Sequence, residues 1–159
     1  MADMDLGDLV SSGGPIFTGV TKASLDAKNR FTVPSRWRDS LNPNKTLYVM
    51  PGIGEGEHCL WIYPQQELQF KIAKLRQASM ADTGAKVLAR IFAGGTVECE
   101  WDTQGRLRLT DFLLEHARLE KEALIVGTFS RFELWEPNLY KQYREENQDL
   151  AVEQLGKYL

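Results

Sequence analysis

The chain has 159 residues and a mass of 18.1 kDa, which is enough for one ordinary domain or for two small units that share a core. Apolar residues make up 43% of the sequence and their longest runs have the length of a strand, so a folded chain without a membrane-spanning helix is predicted. The formal net charge of −3 excludes a protein that is basic throughout, although nucleic-acid binding requires only a local basic surface.

The amino-terminal segment predicts a cytoplasmic protein. Asp3, Asp5 and Asp8 stand where a secretory signal would carry basic residues, and no apolar stretch follows them. Residues 1–16 include a run of Ser, Gly and Pro, and we expect them to form a flexible extension.

The segment from residue 17 to residue 41 is locally basic. It contains five basic side chains against Asp26 and Asp39, a surplus of three positive charges. Contact with a polyanion is therefore expected to come from this segment. Its basic residues are Lys22, Lys28, Arg30, Arg36 and Arg38.

A tight turn lies within this basic segment. Asp26 can accept hydrogen bonds from backbone amides two residues further on, and Asn29 is a residue type that tolerates positive φ. Arg30, at the far end of the turn, can either pair with Asp26 or reach outward, and the spacing does not choose between the two. For an isolated D-x-x-x-R pattern, a purely structural ion pair is the commoner outcome.

A strand precedes the turn and another follows it, and the later elements are a short helix, two strands separated by a loop, and a longer helix. The loop at 51–58 contains three glycines and two acids, which is turn chemistry rather than a site with convergent polar groups. Pro64 suits the first turn of a helix that we place at 64–78. A connecting helix at 81–94 follows, capped by Asp82 and ended by a pair of glycines.

Residues 95–146 repeat the first unit, which spans 17–80. Gly19, Asp26 and Arg30 recur 76 residues later, and the offset falls to 72 beyond the glycine-rich loop because that loop is four residues longer in the first copy. The matching residues are Gly95, Asp102 and Arg106. The second copy should end in a helix at 137–150, and residues 147–159 form a tail or the end of that helix.

The second turn differs from the first in charge. Gly105 takes the place of Asn29, and Glu98 and Glu100 make the surroundings acidic, so the first turn is expected to dominate any contact with DNA. Thr110 can cap the short helix that follows. Because a unit of about 60 residues buries only about 60% of its chain surface, the two copies are expected to share one core.

These motifs resemble the MraZ family, whose members carry two D-x-x-x-R turns in one chain. The resemblance extends over residues 17–146. The matching segments are F-T-G at 17–19, L-D-A-K-N-R-F-T-V-P at 25–34, R-W-R at 36–38, V-G at 126–127 and R-F-E-L-W at 131–135.

The resemblance implies an α+β fold built from two SpoVT-AbrB-like units, a swapped-hairpin barrel duplicated within the chain, with subunits joined in a closed ring. It also implies a nucleoid-associated, sequence-specific regulator that binds direct repeats of double-stranded DNA upstream of a cell division and cell wall gene cluster. Neither a cofactor nor a small-molecule substrate is expected.

The same resemblance implies roles for individual residues. Arg30 would reach a guanine edge or a phosphate and Lys28 a phosphate, with Lys22, Arg36, Arg38 and Arg106 as further DNA-binding candidates. For Arg36 and Arg38, a solvated helix face on either side of a buried Trp37 is an equal alternative. The residues expected to shape the turns are Asp26, Asn29, Asp102 and Gly105.

Two other functions remain open. An enzyme is disfavoured because the sequence shows no paired nucleophile and base, no phosphate loop and no metal cluster, with His58 and His116 isolated from other ligands. A structural ring or an antitoxin-like module that binds protein is the second alternative. Cys59 and Cys99 are expected to be reduced core residues, and the tryptophans are expected in the core or at an interface.

Overall fold

The computed structural model of the chain describes residues 13–78 and 80–159. The predicted flexible extension at 1–16 lies mostly outside these residues, since its first twelve positions are not among them. Residues 13–16 are described and have no regular secondary structure. No helix in the described ranges is both long and apolar enough to cross a membrane.

Both copies contain the predicted order of elements. The first copy comprises β1 (Val20–Ser24), β2 (Arg30–Thr32), α1 (Ser35–Leu41), β3 (Thr46–Pro51), β4 (Cys59–Pro64) and α2 (Gln65–Arg76). The connecting helix α3 is Thr83–Gly95. The second copy comprises β5 (Val97–Glu100), β6 (Arg106–Arg108), α4 (Asp111–Ala117), β7 (Glu122–Gly127), β8 (Phe132–Trp135) and α5 (Pro137–Tyr158).

The predicted helix caps are present. The Asp82 carboxylate accepts a hydrogen bond from the amide of Ala85 at 3.1 Å, and the Thr110 hydroxyl accepts one from the amide of Leu113 at 3.4 Å. The predicted end of the last helix at residue 150 is wrong, because α5 continues to Tyr158. The sequence from 151 to 155 consists mainly of good helix formers and contains no proline, so nothing ends the helix earlier.

The strands form two antiparallel sheets. The larger has the order β1-β7-β8-β4-β3-β5, and the smaller consists of β2 and β6. The first strand of each copy pairs with the third strand of the other copy: β1 with β7 and β5 with β3. The expectation of a closed barrel is wrong, because β1 and β5 are the two edges of the large sheet and the three-residue strands β2 and β6 pair only with each other.

The two copies share one hydrophobic core, as expected. Phe17 and Trp37 of the first copy pack against Phe132 of the second, with ring centroids between 4.8 and 5.4 Å apart. Trp101 and Trp135 are also buried, whereas Trp61 is half-buried. The two cysteines are free; Cys59 is buried and Cys99 half-buried.

Gly127, at the end of β7, provides a test of this packing. A Cβ placed there would overlap with the backbone of Phe17 and Thr18. We expect Gly127→Ala to lower the free energy of unfolding by about 1–3 kcal/mol, as overpacking of a core does. Urea denaturation measures the change. Gly156→Ala is the matched control: this helical glycine has no atom within 4 Å of the added methyl group, so the variant should gain about 0.5–1 kcal/mol.

Candidate nucleic-acid interface

The β2–β6 ribbon presents arginines on one face. Its register pairs Arg30 with Arg108 and Thr32 with Arg106, while the intervening pair is Phe31 with Leu107. Because side chains alternate along a strand, the outer pairs lie on the face opposite to Phe31 and Leu107, which are buried in the core. The outward face therefore consists of three arginines and one threonine.

Asp26 shapes the first turn in the predicted manner. One carboxylate oxygen accepts hydrogen bonds from the amides of Lys28 and Arg30, both at 2.9 Å, and the other accepts one from Nε of Arg30 at 2.7 Å. The choice that the spacing left open is thus settled, since Arg30 pairs with Asp26. Its side chain keeps 23% of its surface exposed.

The second turn repeats this geometry. Asp102 accepts hydrogen bonds from the amides of Gln104 and Arg106 and from Nε of Arg106, each at 2.9 Å. Asn29 and Gly105, the fourth residues of the two turns, have φ values of 61° and 79°, in the left-handed region that both residue types tolerate.

The two turns are bonded to each other. The amide of Val33 donates to the carbonyl of Gly105, and the amide of Leu109 donates to the carbonyl of Asn29, both at 2.9 Å. Nη1 of Arg30 lies 3.8 Å from the carboxylate of Asp102. The two turns therefore form one continuous surface instead of two separate contact points.

The turn carboxylates are stabilised in their charged form. The pKa of Asp26 is lowered chiefly by the hydrogen bond from the amide of Arg30, with partial burial opposing that effect. The pKa of Asp102 is lowered for the same reason by the amide of Arg106. Both aspartates therefore stay ionised under mildly acidic conditions and keep hold of their arginines.

The remaining predicted cations fall into two groups. Lys22 and Lys28 are exposed, on β1 and in the first turn. Arg36, also exposed, donates to the carbonyl of Thr18 at 3.1 Å and lies over the ring of Trp37. Arg38 is half-buried and donates to the carbonyl of Val33 at 2.9 Å.

Arg38 lies where the first copy contacts the second. Its guanidinium occupies the space that a side chain on Gly105 would need, so a Cβ there would overlap with it. The second turn consequently requires glycine for its positive φ and also for this close approach. Arg38 therefore packs against the second turn.

Sequence reasoning missed Arg108, which is exposed and faces Arg30 across the ribbon. The repeat comparison hides it, because Arg108 matches Thr32 in the first copy. A usable signal was the alternation R-L-R at 106–108, which places two cations on the outer face of a strand whose middle residue is buried.

A polar cluster also lies where none was expected. Polar atoms of Glu57, Cys59 and Glu133 lie within 4.8 Å of one another, so one side chain of the 51–58 loop joins two strand residues in a cluster that the sequence did not indicate. Arg131 donates to Glu133 at 2.6 and 3.0 Å, and the Trp135 indole donates to it at 2.9 Å. This ion pair accounts for the buried carboxylate of Glu133.

Burial decides the protonation of the neighbouring groups. It raises the pKa of the Cys59 thiol, and the charge of Glu133 adds to the effect. Burial and the same charge raise the pKa of Glu57. The thiol is therefore protonated at neutral pH, which is unfavourable for metal binding.

The two histidines are neighbours, contrary to the sequence-based expectation of isolated residues. The rings of His58 and His116 lie 5.9 Å apart, because the loop before β4 and helix α4 meet at this point. Within residues 13–78 and 80–159, no third donor joins them to form a metal-binding group.

Comparison with known families gives two consecutive matches to one family model, described as "MraZ protein, putative antitoxin-like", at residues 16–91 and 92–155. The chain belongs to the MraZ family. This confirms the resemblance that the two turns and the flanking motifs indicated.

Similar proteins carry the name transcriptional regulator MraZ. Those of Citrobacter koseri and Photorhabdus laumondii subsp. laumondii are each 35% identical over 139 residues, which is 87% of this chain and 90% of the relative. That of Carboxydothermus hydrogenoformans is 35% identical over 128 residues, 80% of this chain and 86% of the relative. These three relatives are thus named as regulators of transcription.

The turn carboxylates predict a specific acid sensitivity. A carboxylate whose pKa is lower in the folded state contributes stability that is present above its unfolded pKa, about 3.9, and is lost as the pH falls through the folded value. We expect the double variant Asp26→Asn, Asp102→Asn to flatten the fall in melting temperature below about pH 4.

Thermal unfolding between about pH 7 and pH 2.5 measures this effect. Asp39→Asn, an exposed position on α1, is the matched control and should keep the slope of the natural chain. An unchanged slope in the double variant would contradict the role assigned to the two carboxylates.

Proposed function

We propose that this chain is a cytoplasmic, nucleoid-associated regulator of transcription that binds DNA through the outer face of the β2–β6 ribbon. The observation that carries the proposal is the cluster of Arg30, Arg106 and Arg108 on one surface of a protein whose net charge is −3. Because the basic side chains are concentrated on one surface, they can attract and orient DNA although the chain as a whole is acidic.

The shape of the ribbon supports contact in the major groove, which admits a two-stranded β-ribbon. Arginine can donate two hydrogen bonds to the O6 and N7 atoms of guanine, and lysine pairs with phosphate as a point charge. Arg108 and Lys28, both exposed, would make the first contacts.

The Asp-paired arginines would act as preorganised donors. Each uses Nε for its aspartate, and Nη1 of Arg30 also lies 3.8 Å from Asp102, so Nη2 of Arg30 and both terminal amino groups of Arg106 would serve a base edge or a phosphate. Holding the guanidinium in place before binding reduces the conformational entropy that is lost on binding. On this account both turns contribute, and Lys22 and Arg36 add phosphate contacts at the margin.

Affinity would come from repetition. The ribbon carries Arg30, Arg106, Arg108 and Lys28 against the two turn aspartates, a surplus of only two charges. A ring of subunits that binds several direct repeats upstream of a cell division and cell wall gene cluster would raise the effective concentration of each contact.

The proposal includes the swapped-hairpin origin that the resemblance implies, without the barrel, which the strand order excludes. Exchange of the first strands between the copies, β1 onto β7 and β5 onto β3, supports a swapped-hairpin origin related to AbrB. The corresponding units are 17–80 and 95–146, joined by the connecting helix at 81–94 and followed by 147–159.

A protein-binding function is the second candidate. The apolar face of α3, where Val87, Leu88 and Ile91 are 44–62% exposed, favours it. Salt separates the two functions, because binding through lysine and arginine to phosphates weakens steeply as salt rises and binding through an apolar face does not.

Arg108→Ala tests the DNA contact. We expect the variant to bind the DNA upstream of its own gene about 10-fold to 100-fold more weakly, and the slope of log K against log salt to fall by about 0.9 if a phosphate contact is lost. Mobility shifts with intact and scrambled repeats at several salt concentrations measure both quantities.

Arg144→Ala is the matched control for charge. This exposed arginine lies on α5, away from the ribbon, so the variant should bind as the natural chain does. Equal loss of binding in both variants would mean that only total charge matters, and an unaffected Arg108→Ala would remove the ribbon from the interface.

A further inference from the structure

An apolar groove of about 680 Å³ lies between α2, α3 and the surface of the large sheet. Its lining includes Trp61 from the sheet, Ile72 from α2, and Leu88 and Phe92 from α3. No residue of α3 is buried, so this helix presents an apolar face that the described part of the chain leaves open.

The helices that form the groove are basic. Residues 65–95 contain five lysines and arginines against Glu67 and Asp82, a surplus of three positive charges. Lys71 and Arg76 line the groove itself. Lys71 also lies 4.0 Å from the carboxylate of Glu67, and the carboxylate of Glu98 in the groove wall accepts a hydrogen bond from the Tyr48 hydroxyl at 2.8 Å. The groove therefore suits an occupant that combines aliphatic side chains with negative charge.

The chain contains such a segment outside the described residues. Residues 3–10 read D-M-D-L-G-D-L-V, with three acids, four large apolar side chains and no basic residue. Their charge of −3 equals the surplus on α2 and α3 in magnitude and is opposite in sign.

The first described residues lie close enough to the groove for this segment to reach it. Gly13 and Gly14 line one depression together with Gln65 and Gln66, at the start of α2. The twelve residues of α2 span about 18 Å at 1.5 Å per residue. Ten extended residues span up to about 35 Å, so residues 3–10 can follow the whole groove.

We propose that the α2–α3 groove is the docking site of residues 3–10 of the same chain. The aliphatic side chains of Leu6 and Leu9 fill the apolar floor, and the aspartates lie toward Lys71 and Arg76. Attachment through the short stretch before Phe17 gives the segment a high effective concentration at the groove. This inference does not depend on the proposed function.

Cysteine trapping in the full-length chain tests the docking. Leu9→Cys combined with Leu88→Cys, inside the groove, should form an intramolecular disulfide about tenfold faster than Leu9→Cys combined with Ile91→Cys. Ile91 is the matched control because it is 62% exposed on the same helix but does not line the groove. Equal rates for the two pairs would overturn the proposal, and a covalent dimer would show that a second copy supplies the segment, which overturns it too.

Hydrogen exchange provides a second readout. Leu6→Asp with Leu9→Asp should speed amide exchange in α2 and α3 several-fold, whereas Ala2→Asp with Ser11→Asp adds the same charge and should change it little. Unchanged exchange in the first variant would also contradict the docking. Mobility shifts on the same proteins distinguish the docking proposal from the DNA-binding proposal, because none of these substitutions lies in the β2–β6 ribbon.

Discussion

The arginine-bearing surface depends on one aspartate in each turn, whose carboxylate fixes the backbone of that turn. Asp26 and Asp102 each bind two backbone amides and one arginine, and the two turns are then joined by reciprocal amide–carbonyl bonds at Val33 and Leu109. A buried face of Phe31 and Leu107 fixes the ribbon to the core. Arg30 and Arg106 are thereby held in place by a strand pair that is only three residues long, and Arg108 is exposed on the same face.

The repeat made much of this fold predictable. Two D-x-x-x-R turns, the caps at Asp82 and Thr110 and the order of elements are local features, which periodicity and turn chemistry can identify. The length of α5 was underestimated because no local signal marks position 150 as an end. The pairing of β1 with β7 and of β5 with β3 joins residues about 100 and 50 positions apart, and local patterns do not specify such partners.

The candidate site was predicted in part. Asp26, Asp102 and the two positive-φ positions have the geometry that their residue types indicated. Arg38 was placed among the DNA contacts, yet its guanidinium packs on Gly105 of the other copy, a contact that is visible only once the copies are joined. The convergence of Glu57 with Glu133 escaped prediction for the same reason, since 76 residues separate them.

Because the two copies within the chain are not identical, the two ends of the ribbon are different. Two identical copies would make a surface with exact twofold symmetry, which matches an inverted DNA sequence. Here Lys28 corresponds to Gln104 and Thr32 to Arg108, so the two ends of the ribbon differ in charge. On the proposed function, a surface whose two ends differ in charge would favour one orientation on a DNA duplex, and the subunits of the proposed ring would all face the same way along the DNA.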